Sequence, residues 1–429
     1  MLKEYLEDIT KTFKAGDATE ASYYSALKKL LENYLNFKNK KPSITIEARR
    51  TKAGKPDFTI RNGKELIGYI EAKDLTLTNL TDVYDTEQIE RYRARLPNFI
   101  LTNFLDLHLF RSGKVVKEVR IGQPSILKKL KTAPPPDNGE DFFKLLDTFF
   151  SYNIPELKSA KSLAEELAQK AQLLPSYIIE ELNNQEITEI DRIYEAFRKY
   201  LIPDLSKEDF ADIYAQTITY GLFTARLQYQ GKDFSRFIAS EYIPKNIHIF
   251  HDTFSLISSS ALPESITWIL DDIATILAHC DIEKIRQDLH RQKGGDPLMH
   301  FYETFLAEYD PQKREARGVY YTPLPVVSYI TRSINILLKK KFNKRDGFAD
   351  KTVTLLDPAA GTLTFLAQAI LLVKEEVFKG KMAGAWQQII KNHVLKNFYA
   401  FELLMAPYII GHLKISLLLE DLGYKFQKR

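Results

Sequence analysis

A single cysteine, Cys280, stands among 429 residues, so no disulfide can close within the chain and no cysteine cluster can hold zinc. No uninterrupted apolar run reaches the roughly 18 residues that a membrane-spanning helix needs. The first nine residues, Met-Leu-Lys-Glu-Tyr-Leu-Glu-Asp-Ile, lack a basic head followed by an apolar stretch, which argues against a secretory signal. Neither sign of charge dominates: 60 Lys and Arg oppose 56 Asp and Glu, and a net charge of +4 does not by itself call for nucleic acid or a membrane surface. There is no repeat or low-complexity tract. The expectation is a cytoplasmic protein of a reducing compartment with no membrane partner. What is present is an ordinary globular balance, 45% hydrophobic and 27% charged, in a chain long enough for about two to four domains.

The first segment mixes helix and strand signals. Residues 18–37 carry Tyr23, Leu27, Leu30, Leu31, Tyr34 and Leu35 at spacings of three and four, which predicts an amphipathic helix. Ser43–Ala48 reads as a strand, and Asp57–Ile60 and Glu65–Ala72 as two more around Arg61-Asn62-Gly63-Lys64, where Asn-Gly suits a tight hairpin turn. Phe99–Asn103 and Leu107–Arg111 continue the strand pattern. Three consecutive prolines within 132–140 interrupt regular structure and predict a linker. From about 141 to 300 the period turns helical, with Ala160–Leu174 and Asp209–Tyr229 as the strongest helices, which predicts an all-helical connector. His248, His251, His279, Cys280 and His290 scatter through it at spacings that match no zinc site.

Lys55-Pro56-Asp57 and Glu71-Ala72-Lys73 are the sharpest constellation. Side chains alternate along a strand, so Glu71 and Lys73 share a face, and the hairpin sets Asp57 on the neighbouring strand. Converging carboxylates repel unless a cation lies between them, and oxygen ligands suit magnesium or manganese. Such an ion can activate water against a phosphate, with Lys73 to stabilise the charge that develops. Gln88 and Tyr92 follow, four apart on one helix face. Before the hairpin, seven basic residues between Lys38 and Lys55 face one acid, Glu47; they form either a solvated face or a path for a phosphate backbone.

With those residues, 43–111 resembles the PD-(D/E)xK nuclease superfamily, in the branches that carry a Gln-xxx-Tyr helix. The resemblance implies a metal-dependent endonuclease acting on double-stranded DNA. Asp57 and Glu71 would be Mg2+ ligands, Lys73 the catalytic lysine, Gln88 and Tyr92 the accompanying helix pair, and Glu20 an additional ligand from the first helix.

Near the other end, Val353–Leu356 reads as a buried strand. It opens into Asp357-Pro358-Ala359-Ala360-Gly361-Thr362 and a helix over 363–378. Phe398–Phe401 forms a second strand capped by Glu402, before a helix from about 405 to 419. Small residues at a strand-to-helix turn let backbone approach a ligand, and an acid after the next strand can accept from ribose hydroxyls. These residues resemble the amino-methyltransferases that modify adenine in DNA. Tyr321-Thr322-Pro323 is similar to their motif X, the 357–361 turn to motif I and Phe401-Glu402 to motif II. By that resemblance Thr322, Pro323, Asp357, Ala359, Gly361 and Glu402 would hold S-adenosylmethionine, and Leu363 stands where the family commonly has a second glycine. The family's Asn- or Asp-Pro-Pro-aromatic catalytic motif does not occur in the 429 residues.

The order resembles single-chain restriction-modification enzymes of the type IIG kind. It implies an α/β multidomain protein: a nuclease core at 1–131, a linker at 132–140, a helical connector at 141–300 and the beginning of a Rossmann-like cofactor domain at 301–429. On this reading the chain is the amino-terminal portion of such an enzyme. The alternative is a non-catalytic DNA-binding or docking fragment that needs a second chain for methylation and target recognition.

Overall fold

Alternating apolar and β-branched side chains build the strands of the first of two compact units, Met1–Glu156 with Ser176–Gln185 and Pro263–His279. The computed structural model describes all residues except 41, 47–54, 64, 130–132, 134, 153–156, 158, 185, 201, 243–261, 292–296, 311–321, 380–382, 403–404 and 425–429. Helices α1 (Leu2–Lys14) and α2 (Tyr24–Phe37) precede a six-stranded sheet. Its strands are β1 (Ser43–Ile46), β2 (Phe58–Asn62), β3 (Glu65–Ala72), β4 (Phe99–Thr102), β5 (Asp106–Arg111) and β6 (Lys114–Arg120), in that order across the sheet. Every neighbouring pair is antiparallel except β3 and β4. A parallel pair needs a crossover, and α3 (Glu87–Arg95) lies within it. Gly63 closes the β2–β3 hairpin at φ +61°, as the Asn-Gly pair predicts.

Leu6 and Ile9 of α1 and Leu27, Leu31 and Leu35 of α2 share one core with Ile70, Ala72, Ile100 and Leu109 of the sheet. After the short helix α4 (Pro124–Lys129), helix α5 (Gly139–Phe150) joins the same core through Phe142, Leu146 and Phe149. The expected break at 132–140 is therefore not where the chain divides: the helix beyond the prolines buries its apolar stripe on the first unit's sheet. The expected connector is likewise not one body. Ser176–Gln185 and Pro263–His279 belong to the first unit. There Tyr69 of β3 donates to Asp272, and Arg61 Nη2 lies 2.9 Å from the same carboxylate. The predicted 18–37 helix begins as a 3-10 turn, Glu20–Tyr23, before α2.

The second unit comprises Leu157–Pro175, Glu186–Leu262 and Cys280–Arg429. Its long helix Lys207–Gln228 is buried around nearly its whole circumference from Phe210 to Leu227, the signature of a bundle centre. Phe223 stacks on Phe301 at 3.8 Å, and Tyr220 packs edge-on against Tyr302 and Phe305 of the Pro297–Tyr309 helix. Towards the end of the chain, β7 (Leu355–Asp357) and β8 (Phe398–Ala400) pair in parallel around the helix Thr364–Lys379. Leu324–Lys341 precedes them and Met405–Asp421 follows. This part has its own core, formed by Phe348, Ile370, Val373, Val377, Trp386 and Ile390.

Helix α5 and Asn98, just before β4, press so closely on β3 that a Cβ at Gly68 would stand 2.5 Å from the Asn98 carbonyl oxygen and 2.7 Å from the Phe149 ring. Gly68→Ala is expected to destabilise the chain by about 1–3 kcal/mol, measured by urea denaturation. An unchanged midpoint would show that α5 does not hold this position.

Candidate functional site

The end of the β2–β3 hairpin gathers the predicted chemistry. Asp57 precedes β2 by one residue and is buried. Its Oδ2 accepts from the Ala72 backbone N–H at 2.7 Å, which pins it beside the last residues of β3. Its Oδ1 accepts from the Tyr24 hydroxyl, delivered by the first turn of α2. Glu71 is buried on β3, and Ala72 turns the other way into the core, as strand alternation requires. Lys73 Nζ donates to Glu71 Oε1 at 2.7 Å and to Gln88 Oε1 at 3.0 Å. The parallel ladder continues to Lys73, whose N–H donates to the Thr102 carbonyl at 2.7 Å. The structure thus brings Asp57, Glu71, Lys73 and Gln88 together. Tyr92, one turn beyond Gln88, is fully buried and bonds to Gln88 and Tyr177, so it holds the helix rather than facing the opening.

Glu71 carries the electrostatic anomaly. Its Oε2 is buried with no hydrogen-bond partner. Burial, and then the Asp57 charge, push its carboxyl up to about 8, against the pull of Lys73. An acid held this way is a poor ion alone and a ready ligand for a hard cation. Glu20 is joined to the pair indirectly: its Oε1 lies 2.9 Å from the same Tyr24 hydroxyl. Among the described residues, no group of three His, Cys, Asp or Glu side chains is assembled to hold a metal ion. The three expected carboxylates therefore do not close on one point; a phenol stands between two of them. Of the basic run, Lys41, Arg49, Arg50 and Lys52 lie outside the described residues, and Lys38 pairs with Asp147 at 2.8 Å.

In the second unit, β7 and β8 end in a knot of backbone bonds. Phe401 N–H donates to the Asp357 carbonyl at 2.9 Å and Ala360 N–H to the Phe401 carbonyl at 3.0 Å. Glu402 Oε2 reaches across to accept from Gly361 N–H at 2.8 Å. Asp357 Oδ1 accepts from Ala359 N–H at 3.3 Å, while its Oδ2 is buried without a partner. Burial and the nearby Glu402 charge raise its carboxyl above the ordinary range. Asp357, Ala359, Gly361 and Glu402 therefore meet at one turn, as the sequence predicts. Thr322 and Pro323 stand just before the Leu324–Lys341 helix, and Tyr321 is outside the described residues. Leu363, where the sequence has a side chain in place of a glycine, is buried. It sits at φ +61°, a conformation that costs an L-residue roughly 1–2 kcal/mol, and its side chain packs with Ala360 and Leu366. Gly411 makes the room: a Cβ there would stand 2.6 Å from Leu363 Cγ.

Comparison with known proteins bears on this second site. Residues 293–424 match the family model described as N-6 DNA Methylase. No curated protein matches the chain. Among solved structures, a cryoEM structure of a DrdV–DNA complex is 21% identical, with a TM-score of 0.43, over 99% of this chain and 39% of that one. A nuclease-deletion mutant of the Type ISP restriction-modification enzyme LlaGI, in complex with a DNA substrate mimic, is 18% identical over 68% of this chain and 22% of that one, with a TM-score of 0.43. The ATP-dependent Type ISP restriction-modification enzyme LlaBIII bound to DNA is 18% identical over 69% and 19%, with a TM-score of 0.44. The chain thus spans between 19% and 39% of the length of these three structures. Among its described residues no helix is long and apolar enough to cross a membrane.

Two outcomes test the geometry. Glu71 is protonated more readily folded than unfolded, so its contribution to stability is present below the ordinary 4.5 and is lost as pH rises to about 8. In EDTA the unfolding free energy should fall by a few kcal/mol between about pH 5 and pH 8.5, and Glu71→Gln should flatten that slope; an equal slope in both proteins would contradict the burial. Gly411→Ala should cost about 1–3 kcal/mol through the Leu363 contact and lose most of that cost in the Leu363→Gly background, read from thermal melts.

Proposed function

We propose that this chain is a restriction-modification component, a Mg2+-dependent nuclease of double-stranded DNA joined to the cofactor-binding part of an adenine-N6 DNA methyltransferase. The observation that carries the nuclease reading is the buried, partnerless Oε2 of Glu71 beside Asp57 and Lys73. Its hard oxygen donors and orphaned buried atom suit a divalent cation. Asp57 and Glu71 would hold Mg2+, and Glu20, which meets the Tyr24 hydroxyl, would be the further carboxylate. Bound there, the ion supplies charge neutralisation for a phosphate under attack. The protein's own residues set the stage. Ala72 N–H and Tyr24 fix both oxygens of Asp57, while Gln88 and Glu71 hold Lys73 with its charge at the site's edge. A fixed ammonium there stabilises negative charge developing on a phosphate and orients the attacking water. Tyr92 braces Gln88 from the core side.

The methyltransferase reading is supported by the N-6 DNA Methylase match and by the 357–361 turn. Asp357, Ala359 and Gly361 would receive S-adenosylmethionine, with Thr322 and Pro323 bounding its methionine end. Glu402, anchored on the Gly361 N–H, would accept from the ribose hydroxyls. Methyl transfer also needs an Asn- or Asp-Pro-Pro-aromatic motif to hold the extruded adenine, and these 429 residues contain none.

A second reading, a docking subunit completed by another chain, is favoured by one observation. Leu356 and Tyr399 face each other across the parallel pair and are 54% and 52% exposed, although parallel strands are ordinarily covered on both faces.

Purified chain with Mg2+ is expected to cut plasmid DNA, and Asp57→Ala and Lys73→Ala should each reduce cutting on the order of a hundredfold or more. Undiminished cutting by Asp57→Ala would remove the cation assignment. Labelled S-adenosylmethionine should bind without methylating DNA, and Glu402→Ala should abolish that binding. Methyl transfer by this chain alone would contradict the motif argument, and absence of nuclease activity in the folded wild type would favour the docking reading.

A further inference from the structure

Tyr24 reads in the sequence as one more aromatic on the apolar stripe of a helix. Its ring is indeed core, 5.1 Å from Phe58 and 6.2 Å from Phe104. Its hydroxyl leaves that cluster and meets two carboxylates at once, Asp57 Oδ1 and, at 2.9 Å, Oε1 of Glu20 one turn earlier. A phenol carries one proton and can donate to only one of them at a time. Two acids gathered on a single donor are held against their own repulsion, an arrangement that a nearby cation resolves. The second oxygen of Asp57 is fixed by Ala72 N–H, so sheet and helix each hold one side of that carboxylate.

We infer that Tyr24 is a positioning residue of the cation site: its hydroxyl aims Asp57 at the divalent ion that Asp57 and Glu71 bind, and Glu20 bears on Asp57 through that hydroxyl. This rests on the reading of Asp57 and Glu71 as cation ligands. Hydrogen-bond partners of ligating groups orient them, and their loss typically weakens metal binding about ten- to hundredfold. Glu20 then acts through the hydroxyl it shares, so the two side chains form one energetic unit.

The test is Mn2+ titration of the full chain, with free Mn2+ followed by electron paramagnetic resonance and no DNA present. Tyr24→Phe keeps the ring and its packing, and it should weaken Mn2+ about ten- to hundredfold while the cation-free melting temperature stays within a few degrees. Glu20→Gln should weaken binding in the wild type and add little in the Tyr24→Phe background. That non-additivity would not arise if the tyrosine served packing alone. Wild-type affinity in Tyr24→Phe, with binding abolished by Asp57→Asn, overturns the inference and leaves the cation site standing. Wild-type affinity in Asp57→Asn removes the cation site and the inference with it. If Tyr24→Phe does not fold, Glu20→Gln alone decides: unchanged Mn2+ affinity overturns the proposal.

Discussion

Two acids, Asp57 and Glu71, share the buried end of one hairpin, and most of the first unit is arranged around that constraint. Removing a carboxylate from water costs several kcal/mol unless charge and hydrogen bonds replace the solvent. Here each replacement comes from a different element. The β3 backbone supplies Ala72 N–H, α2 supplies the Tyr24 hydroxyl, and the residue after β3 supplies the Lys73 ammonium, which α3 steadies through Gln88. One lone pair set, on Glu71 Oε2, is left without a partner. The parallel β3–β4 pairing is what allows this. A crossover is obligatory between parallel strands, and it is the crossover helix that carries Gln88 back over the end of β3.

The second unit solves a related problem with backbone rather than side chains. Its two parallel strands are tied beyond their ends by Phe401 N–H, Ala360 N–H and the Glu402 carboxylate on Gly361 N–H. The turn is therefore shaped by the chain's own hydrogen bonds, Glu402 among them. Leu363 shows how the turn tolerates a side chain where it demands a positive φ. The side chain folds away into a notch that exists because Gly411 has no Cβ. Packing against that notch offsets the backbone cost.

Asp57, Glu71 and Lys73 were legible as candidates because period two along β3 sets Glu71 and Lys73 on one face and the Asn-Gly turn puts Asp57 on the neighbouring strand. Gln88 was named from its spacing to Tyr92 and the resemblance, and the register shift after Ile60 was not legible. The 357–361 turn was legible from an equally local pattern. Tyr24 was not, because a tyrosine at helical spacing reports only that its ring is buried; where its hydroxyl ends depends on Asp57, 33 residues away. The spacing of Glu20 and Tyr24, one helical turn, was the available signal. The proline stretch was read as a boundary because proline breaks regular structure, yet breaking an element does not decide which core the next helix joins. Phe142, Leu146 and Phe149 would serve any apolar face, and Gly68 is what opens this one to them.

The same ambiguity explains why Glu264–His279 was assigned to a connector, and Asp272 shows what resolves it. A purely apolar stripe can slide along a sheet at little cost, whereas a buried charge has one acceptable berth. Asp272 is fully buried and receives both the Tyr69 hydroxyl and the Arg61 guanidinium. Exchanging such a pair for well-packed apolar residues is often neutral for stability, so its value lies in fixing position rather than in strength. Arg61 stands where the β2–β3 register shifts, and Tyr69 stands two residues before Glu71 on the same face of β3. By anchoring both, Asp272 holds the irregular part of the hairpin to a helix from far along the chain. It thereby fixes the strand whose end must bring Glu71 to Asp57, a dependence that hydrophobic periodicity, which is indifferent to register, cannot encode.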